Sequence, residues 1–453
     1  MKNEDIYNAV TDINDKYIEE ADRKNNFKNK KTFLRRAVAA AAAAAVAFGI
    51  FSFSGRLGKS DYGAIAEVVF PKAIAFDDSD ARFAIKEQNP VSDDFLNSVN
   101  EFSYSTASAL LSESETNSNY SPLSLYYALA MTANGAEGDT LDILLSLLGT
   151  DSLEKLNLEA GNLYRRFYSD NNIGGLKVAN SMWMDDNYSF KQDFATRNAE
   201  NLYASCHIVD FSSEDTAKTI SDWINNNTEG TLNAEYSVSP QQVLALINTV
   251  YFHDEWVDKF DKDNTKADTF YLEDGSEKQC DFMNSKYDTH SFSRGENFTR
   301  SYLGLKNSGS MVFILPDEGV TVQSLLSSPE SVKNIFEGGE DFSGEVVWQI
   351  PKFDFSSSFD LTDMLKDLGI DENSDFSAIS DDIISLSSVI QQTNISIDEK
   401  GVKASAFTSI QYSGAMPPED RADMILNRPF IYGITDSMGN LIFVGVCMDP
   451  TAN

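Results

Sequence analysis

The sequence predicts an α+β fold, and three observations carry that expectation. Helix signals crowd the first half of the chain and strand signals the second, without regular alternation between the two. Apolar residues make up 42% of the 453 residues and charged residues 23%, which suits a globular chain with a sizeable core. Composition then stays even from Val91 to Asn453, with no linker long enough to divide that stretch, so it reads as one domain. Patterning alone gives no unique topology.

Along that domain the elements follow in order. Phe95–Leu111 has apolar or small residues at helical spacing. Ser121–Gly135 opens with Ser at the cap and Pro in the first turn, carries an apolar stripe, and has Gly135 placed to stop it. A further helix is expected at Thr140–Leu148, a strand at Gly174–Asp186, and a capped amphipathic helix from Asp215 that ends at Gly230. Val243–Phe252 is apolar without helical spacing, as in a strand buried on both faces. Gly309–Pro316, Val346–Phe355 and the two closing stretches FIYGITD and NLIFVGVCMD read as strands, and Ser356–Leu368 as a short helix.

The N-terminal tenth differs. Residues 1–36 are polar and mixed in charge, with Lys28, Lys30, Lys31, Arg35 and Arg36 crowded at their end. The apolar run AVAAAAAAAVAFGIFSF follows at 37–53, seventeen residues, the short end of a membrane span. A basic flank before such a run places the N-terminus inside and the large domain outside. The sequence therefore predicts a cytoplasmic segment at 1–36, a signal anchor or transmembrane helix at 37–53, a linker at 54–90 and a folded domain at 91–453, held at the cell surface. A cleaved secretion leader and a buried Ala-rich helix are the competing readings.

Composition excludes several functions. Lys plus Arg is 36 and Asp plus Glu is 70, a net charge of −34, so a phosphate backbone is repelled and nucleic acid is not an expected partner. Three cysteines are too few for a disulfide scaffold. There is no Gly-x-Ser-x-Gly elbow, His-Glu-x-x-His, phosphate loop or CxxC pair, so no catalytic residue, metal or cofactor is expected. Cys206-His207 lacks further ligands at metal spacing, and His207 and His253 read as structural residues.

The C-terminal stretch 389–430 is the informative one. A strand pattern up to Ile397 meets the charged turn Asp398-Glu399-Lys400 and then Gly401. From there every second residue, Val402, Ala404, Ala406, Thr408 and Ile410, is small or uncharged. That period suits a half-buried strand, although no bulky core residue occurs before Phe407. Such a segment fits a loop in one state and an inserted strand in another.

Motifs spread over the domain carry a resemblance. They include Asn117-x-x-x-Ser121-Pro122-Leu123-Ser124, Gly135, Thr140, Asn180 and the segment Trp223, Thr228, Gly230. Asn248, Tyr251, Phe252, Trp256 and Phe260 follow, then Pro316, Pro351-Lys352-Phe353 and Leu368-Gly369. Glu399-x-Gly401, Pro429-Phe430 and Phe443-x-Gly445 complete the pattern. Over nearly all of 91–450 the chain resembles the serpins, the family named for serine-protease inhibitors. The resemblance implies a central mixed β-sheet with packed helices and an exposed reactive-centre loop. It implies a suicide-substrate mechanism, in which the cut loop inserts into the main sheet and traps the acyl-enzyme. It also assigns Glu399, Gly401, Val402, Ala404, Ala406 and Thr408 to the loop hinge, and Asn248, Trp256 and Gln391 to the region where the sheet opens. A non-inhibitory binding or chaperone module of the same fold is the alternative.

The sequence departs from the family at the hinge, where Val402 replaces the usual Thr or Ser and Lys403 and Phe407 interrupt the small-residue run. Both interruptions fall on the set expected to face outward. Gln391 stands where a histidine is common, and the loop from Gly401 to Pro429 looks about three residues longer than usual. In the family the scissile bond lies a fixed distance after the hinge Glu. Here that distance gives Ala415–Met416. A small side chain at Ala415 suits a shallow apolar pocket, so elastase-like serine proteases are the expected partners, engaged by a monomer.

Overall fold

The computed structural model describes residues 64–66, 68–232, 235–402 and 420–452. Sixteen strands lie among them. In chain order they are β1 (Ser118–Tyr120), β2 (Ser169–Asp170), β3 (Gly175–Asp185), β4 (Ala204–Val209), β5 (Leu244–Glu255), β6 (Lys266–Tyr271), β7 (Glu277–Gly295) and β8 (Phe298–Gly304). Then follow β9 (Ser310–Pro316), β10 (Glu340–Pro351), β11 (Phe353–Asp360), β12 (Ser388–Ile397), β13 (Gly401–Val402), β14 (Arg421–Ile425), β15 (Phe430–Thr435) and β16 (Leu441–Cys447).

They form two sheets. The main sheet runs β11-β12-β5-β3-β2, with β4 on β3 and β13 on β5. It is mixed: β12 runs parallel to β5, and β3 antiparallel to it. The second sheet runs β1-β16-β15-β9-β8-β7-β10-β14, with β6 on β7. The α+β class, the mixed sheet and the packed helices agree with expectation.

The helix Pro122–Ala133 threads between the sheets, and every residue of it is buried. Its start is set by Ser121, whose Oγ accepts the Ser124 N–H, and by Pro122 in the first turn. It ends at Asn134. Gly135 serves close packing: a Cβ there would sit 2.2 Å from the Ile379 side chain. The opposite face of the main sheet carries the helix Glu214–Asn227, whose Ile220 and Trp223 pack with Trp183, Ala245 and Ile247. Both faces of β5 are thus covered at mid-strand, which explains its unbroken apolar run.

Two element expectations are corrected. Val346–Phe355 is two strands in different sheets, β10 and β11, with Lys352 between them. Ser356–Asp360 continues β11 against β12, and the helix there is only Thr362–Asp367. An edge strand with one face buried needs only alternate apolar residues, and Phe353, Phe355 and Phe359 supply them.

The membrane anchor is also corrected. Among the described residues no helix is long and apolar enough to cross a membrane. The run 37–53 lies outside the described residues. Alanine, which dominates that run, is weakly membrane-seeking, and seventeen residues fall below the usual twenty or so. The transmembrane helix, the membrane as partner and the anchored localisation are therefore withdrawn. Within the stretch read as a linker, Ser79–Gln88 is helical, with the Asp78 carboxylate accepting the Ala81 N–H at its start.

Candidate functional site

The site is built where β5 and β12 meet. Their parallel pairing covers only Ala245–Thr249 with Ser388–Gln392. Beyond it β12 continues to Ile397 and β5 to Glu255 without pairing to each other. The wedge between them is lined by Val250, Phe252, Asn394, Ile395, Val402 and Phe443.

At the closed end of the wedge, the predicted residues Asn248 and Gln391 are directly opposite one another and fully buried. Gln391 Nε2 donates to Asn248 Oδ1 (2.8 Å) and to the Ser121 carbonyl (2.9 Å), and its Oε1 accepts the Ser121 N–H (2.8 Å). Asn248 Oδ1 also accepts the Ser124 hydroxyl (2.6 Å), while its Nδ2 donates to the Ser124 carbonyl (2.6 Å) and to Asn180 Oδ1. Beside the backbone ladder of β5 and β12, these amides and hydroxyls close the seam. Each buried bond broken there without replacement costs about 1–3 kcal/mol.

At the open end stands the turn that starts the loop. Asp398 and Gly401 bond to each other across it, and the Lys400 N–H donates to the Asp398 carboxylate (2.8 Å). Glu399 is buried at 4% exposure. Its Oε1 accepts from Thr265 Oγ1 (2.9 Å) and from Lys352 Nζ (3.2 Å). Burial pushes its carboxyl up, but its own N–H, Thr265 and Lys352 outweigh that and hold it below the usual glutamate range. Trp256, fully buried, donates its indole N–H to the Asp398 carbonyl (2.9 Å), and its backbone N–H to the Lys400 carbonyl (3.1 Å).

The stem then joins β5. Gly401 pairs with Glu255 and Val402 with Asp254, antiparallel. The approach is so close that a Cβ on Gly401 would fall 2.3 Å from the Asp254 carbonyl oxygen. Asp254 is itself buried. Its carboxylate accepts the N–H groups of Glu255 (2.9 Å), Asn307 (3.0 Å) and Ser308 (2.8 Å), which fastens the β8–β9 turn behind the stem. Burial still raises its carboxyl above the ordinary range. Glu255 bonds Lys306 (2.7 Å) and Lys259 (3.1 Å).

The structure thus brings Glu399, Gly401, Val402 and Trp256 together at one end, and Asn248 and Gln391 at the other. Ala404, Ala406, Thr408, Ala415 and Met416 lie outside the described residues. Sequence reasoning assigned no role to Lys352, Thr265 or Asp254. The acidic pair Asp254-Glu255, between the apolar run Val243–Phe252 and Trp256, was the available signal for Asp254.

A family model described as "Serpin (serine protease inhibitor)" matches residues 97–450. The chain is 29% identical over 389 residues to Serpin-ZX of Arabidopsis thaliana, covering 78% of this chain and 97% of that protein. It is 28% identical to the thermophilic serpin tengpin in the native state, at a TM-score of 0.72, with 85% of this chain and all of that one covered. Arabidopsis AtSerpin1 in its native stressed conformation superposes at 0.69, with 25% identity over 80% of this chain and 100% of that one. Loop stem, seam and wedge therefore belong to a non-catalytic scaffold, and the chain is a member of the serpin family of serine-protease inhibitors.

Proposed function

We propose that the protein traps an elastase-like serine protease by admitting its own cleaved loop between β5 and β12. The observation that supports this is the register of the stem. Gly401 opposes Glu255 and Val402 opposes Asp254. Continued along β5, that register sets Ala404 opposite Phe252, Ala406 opposite Val250 and Thr408 opposite Asn248. The Asp398–Gly401 turn defines a second register, on β12. Continued, it sets Ala404 opposite Ile395, Ala406 opposite Thr393 and Thr408 opposite Gln391. Asn248 and Gln391 are themselves partners, so the two registers agree. An entering strand meets both neighbours without slipping.

The agreement also explains residue size. Ala404 enters between Phe252 and Ile395, and Ala406 between Val250 and Thr393, on the side packed by the buried core. Thr408 brings a hydroxyl to the place where the Gln391–Asn248 bond must part. Lys403 and Phe407 fall on the other face, beside His253 and Thr249. Helix Glu214–Asn227 covers that face nearby at Ile247, so the outward set meets protein as well as solvent.

Cleavage at Ala415–Met416 leaves an acyl-enzyme on Ala415, and strand addition carries it along the sheet before water attacks. The protease supplies the serine, base and oxyanion hole. The test is incubation with a panel of serine proteases. A covalent complex with an elastase-like enzyme that survives denaturing electrophoresis, releasing a fragment that begins at Met416, is the expected result. Clean cleavage without a complex for every enzyme overturns the reading.

A further inference from the structure

Residues 64–66 and 68–76, which precede the region matched by the family model, are fastened to the main sheet and the helices beside it. Ala64 bridges His207, and the Ile65 N–H donates to the Cys206 carbonyl (2.8 Å), both on β4. Phe70 lies among three tyrosine rings, with centroids 6.5 Å from Tyr164, 6.2 Å from Tyr168 and 6.3 Å from Tyr203. The Lys177 ammonium of β3 stands 4.3 Å from the Phe70 ring centroid. Farther along, Asn171 Nδ2 donates to the Ile74 carbonyl (3.4 Å).

These interactions lie where β3 and β4 meet the helices packed beside them, and Tyr164 itself donates its hydroxyl to the Val178 carbonyl of β3 (2.6 Å). For β5 to leave β12 it has to carry β3, to which it is bonded from Gly175 to Met184, and β3 carries β4. Tyr164 and Tyr168 close the helix Leu153–Phe167, which packs on the central helix through the Tyr127 hydroxyl and the Ala160 carbonyl (2.7 Å). Tyr203 closes the helix Gln192–Leu202. A segment bonded to β4, stacked on those helix ends and capped by Lys177 of β3 adds to the hold of β3 and β4 on the helix that packs against the central one.

We infer that residues 64–66 and 68–76 act as a strap that slows opening of the β5–β12 seam, with Phe70 as its anchor. This rests on the insertion reading above. Removing the Phe70 ring abolishes its stacking on all three tyrosines and its attraction for Lys177, and is expected to raise the opening rate roughly tenfold.

The experiment uses the full-length, uncut chain and a synthetic peptide with the sequence of residues 401–414, and follows peptide uptake by native gel and mass. Phe70→Ala and the milder Phe70→Leu are compared with Val69→Ala, which changes an exposed neighbour. Lys177→Met removes the charge alone. Faster uptake in both Phe70 variants, a smaller acceleration for Lys177→Met and none for Val69→Ala is the expected result. Equal uptake in wild type and Phe70→Leu, with Phe70→Ala folded and also equal, overturns the strap. If the wild type neither takes up peptide nor gains thermal stability after loop cleavage, the insertion reading fails first, and the strap falls with it.

Discussion

Gln391 and Asn248 join side chains across the seam of the main sheet through an amide–amide bond of 2.8 Å, each also anchored to the start of the buried helix Pro122–Ala133. None of the side chains in this network titrates near neutrality. Gln391→His places an ionisable ring in the same buried position. The thermal midpoint of the uncut variant is expected to vary between about pH 5 and 8, where the wild-type seam contributes no slope. Gln391→Leu leaves the Ser121 N–H and carbonyl without side-chain partners and is expected to cost about 2 kcal/mol in the uncut form. Calorimetry across pH checks both.

The acids around the loop stem contribute their own pH dependence. Glu399 has a lowered carboxyl in the folded state, so its contribution is present above the ordinary glutamate range and fades as pH falls through the folded value. Asp254 has the opposite sign. With its carboxyl raised, its contribution is present below the ordinary aspartate range and is lost as pH rises through the folded value. Glu399→Gln is therefore expected to flatten the acid loss of stability, and Asp254→Asn to steepen it. Denaturant midpoints from about pH 3 to 7 distinguish the two.

Ala404→Arg is expected to convert the inhibitor into a substrate. Between Phe252 and Ile395 the inserted charge has no partner, and an unpaired buried charge costs several kcal/mol. The loop is still cut, the protease is released, and the yield of covalent complex falls. Densitometry of complex against cleaved chain measures it. An unchanged yield rejects the register derived above.

Ala415→Arg tests the bond. It is expected to raise the rate of complex formation with trypsin-like enzymes roughly a hundredfold and to lower it with elastase-like ones. Progress curves with both enzymes read the exchange. If trypsin-like enzymes instead cut after Arg421 in both proteins, the assignment moves.

Much of the fold was legible because it rests on local signals. Ser121-Pro122 fixes a helix start, and the charged residues Asp398-Glu399-Lys400 before Gly401 mark the turn that the structure shows. Asn248 was reached through the family resemblance, not through the pattern of the apolar run Val243–Phe252. What escaped depends on partners distant in sequence. Lys352 splits one apparent strand because β10 and β11 belong to different sheets, and periodicity carries no sheet identity. Ser356–Ser358 read as helix because the partner that makes them a strand is β12, over thirty residues on. Phe70 looked like part of a tether because its three tyrosines come from the ends of two separate helices.

The pairing of Gly401 and Val402 with β5 bears on kinetics as well as on geometry. Joining two chain segments is entropically costliest at the first contact, because the connecting chain must be confined before any bond rewards it. Here that contact already exists, across a four-residue turn from Asp398 to Gly401. On the proposed insertion no search for alignment remains, and each added residue extends an existing ladder. The time available to a cut loop is then governed by how fast the seam yields. The deacylation clock of the bound protease runs against a process that has, in effect, already nucleated.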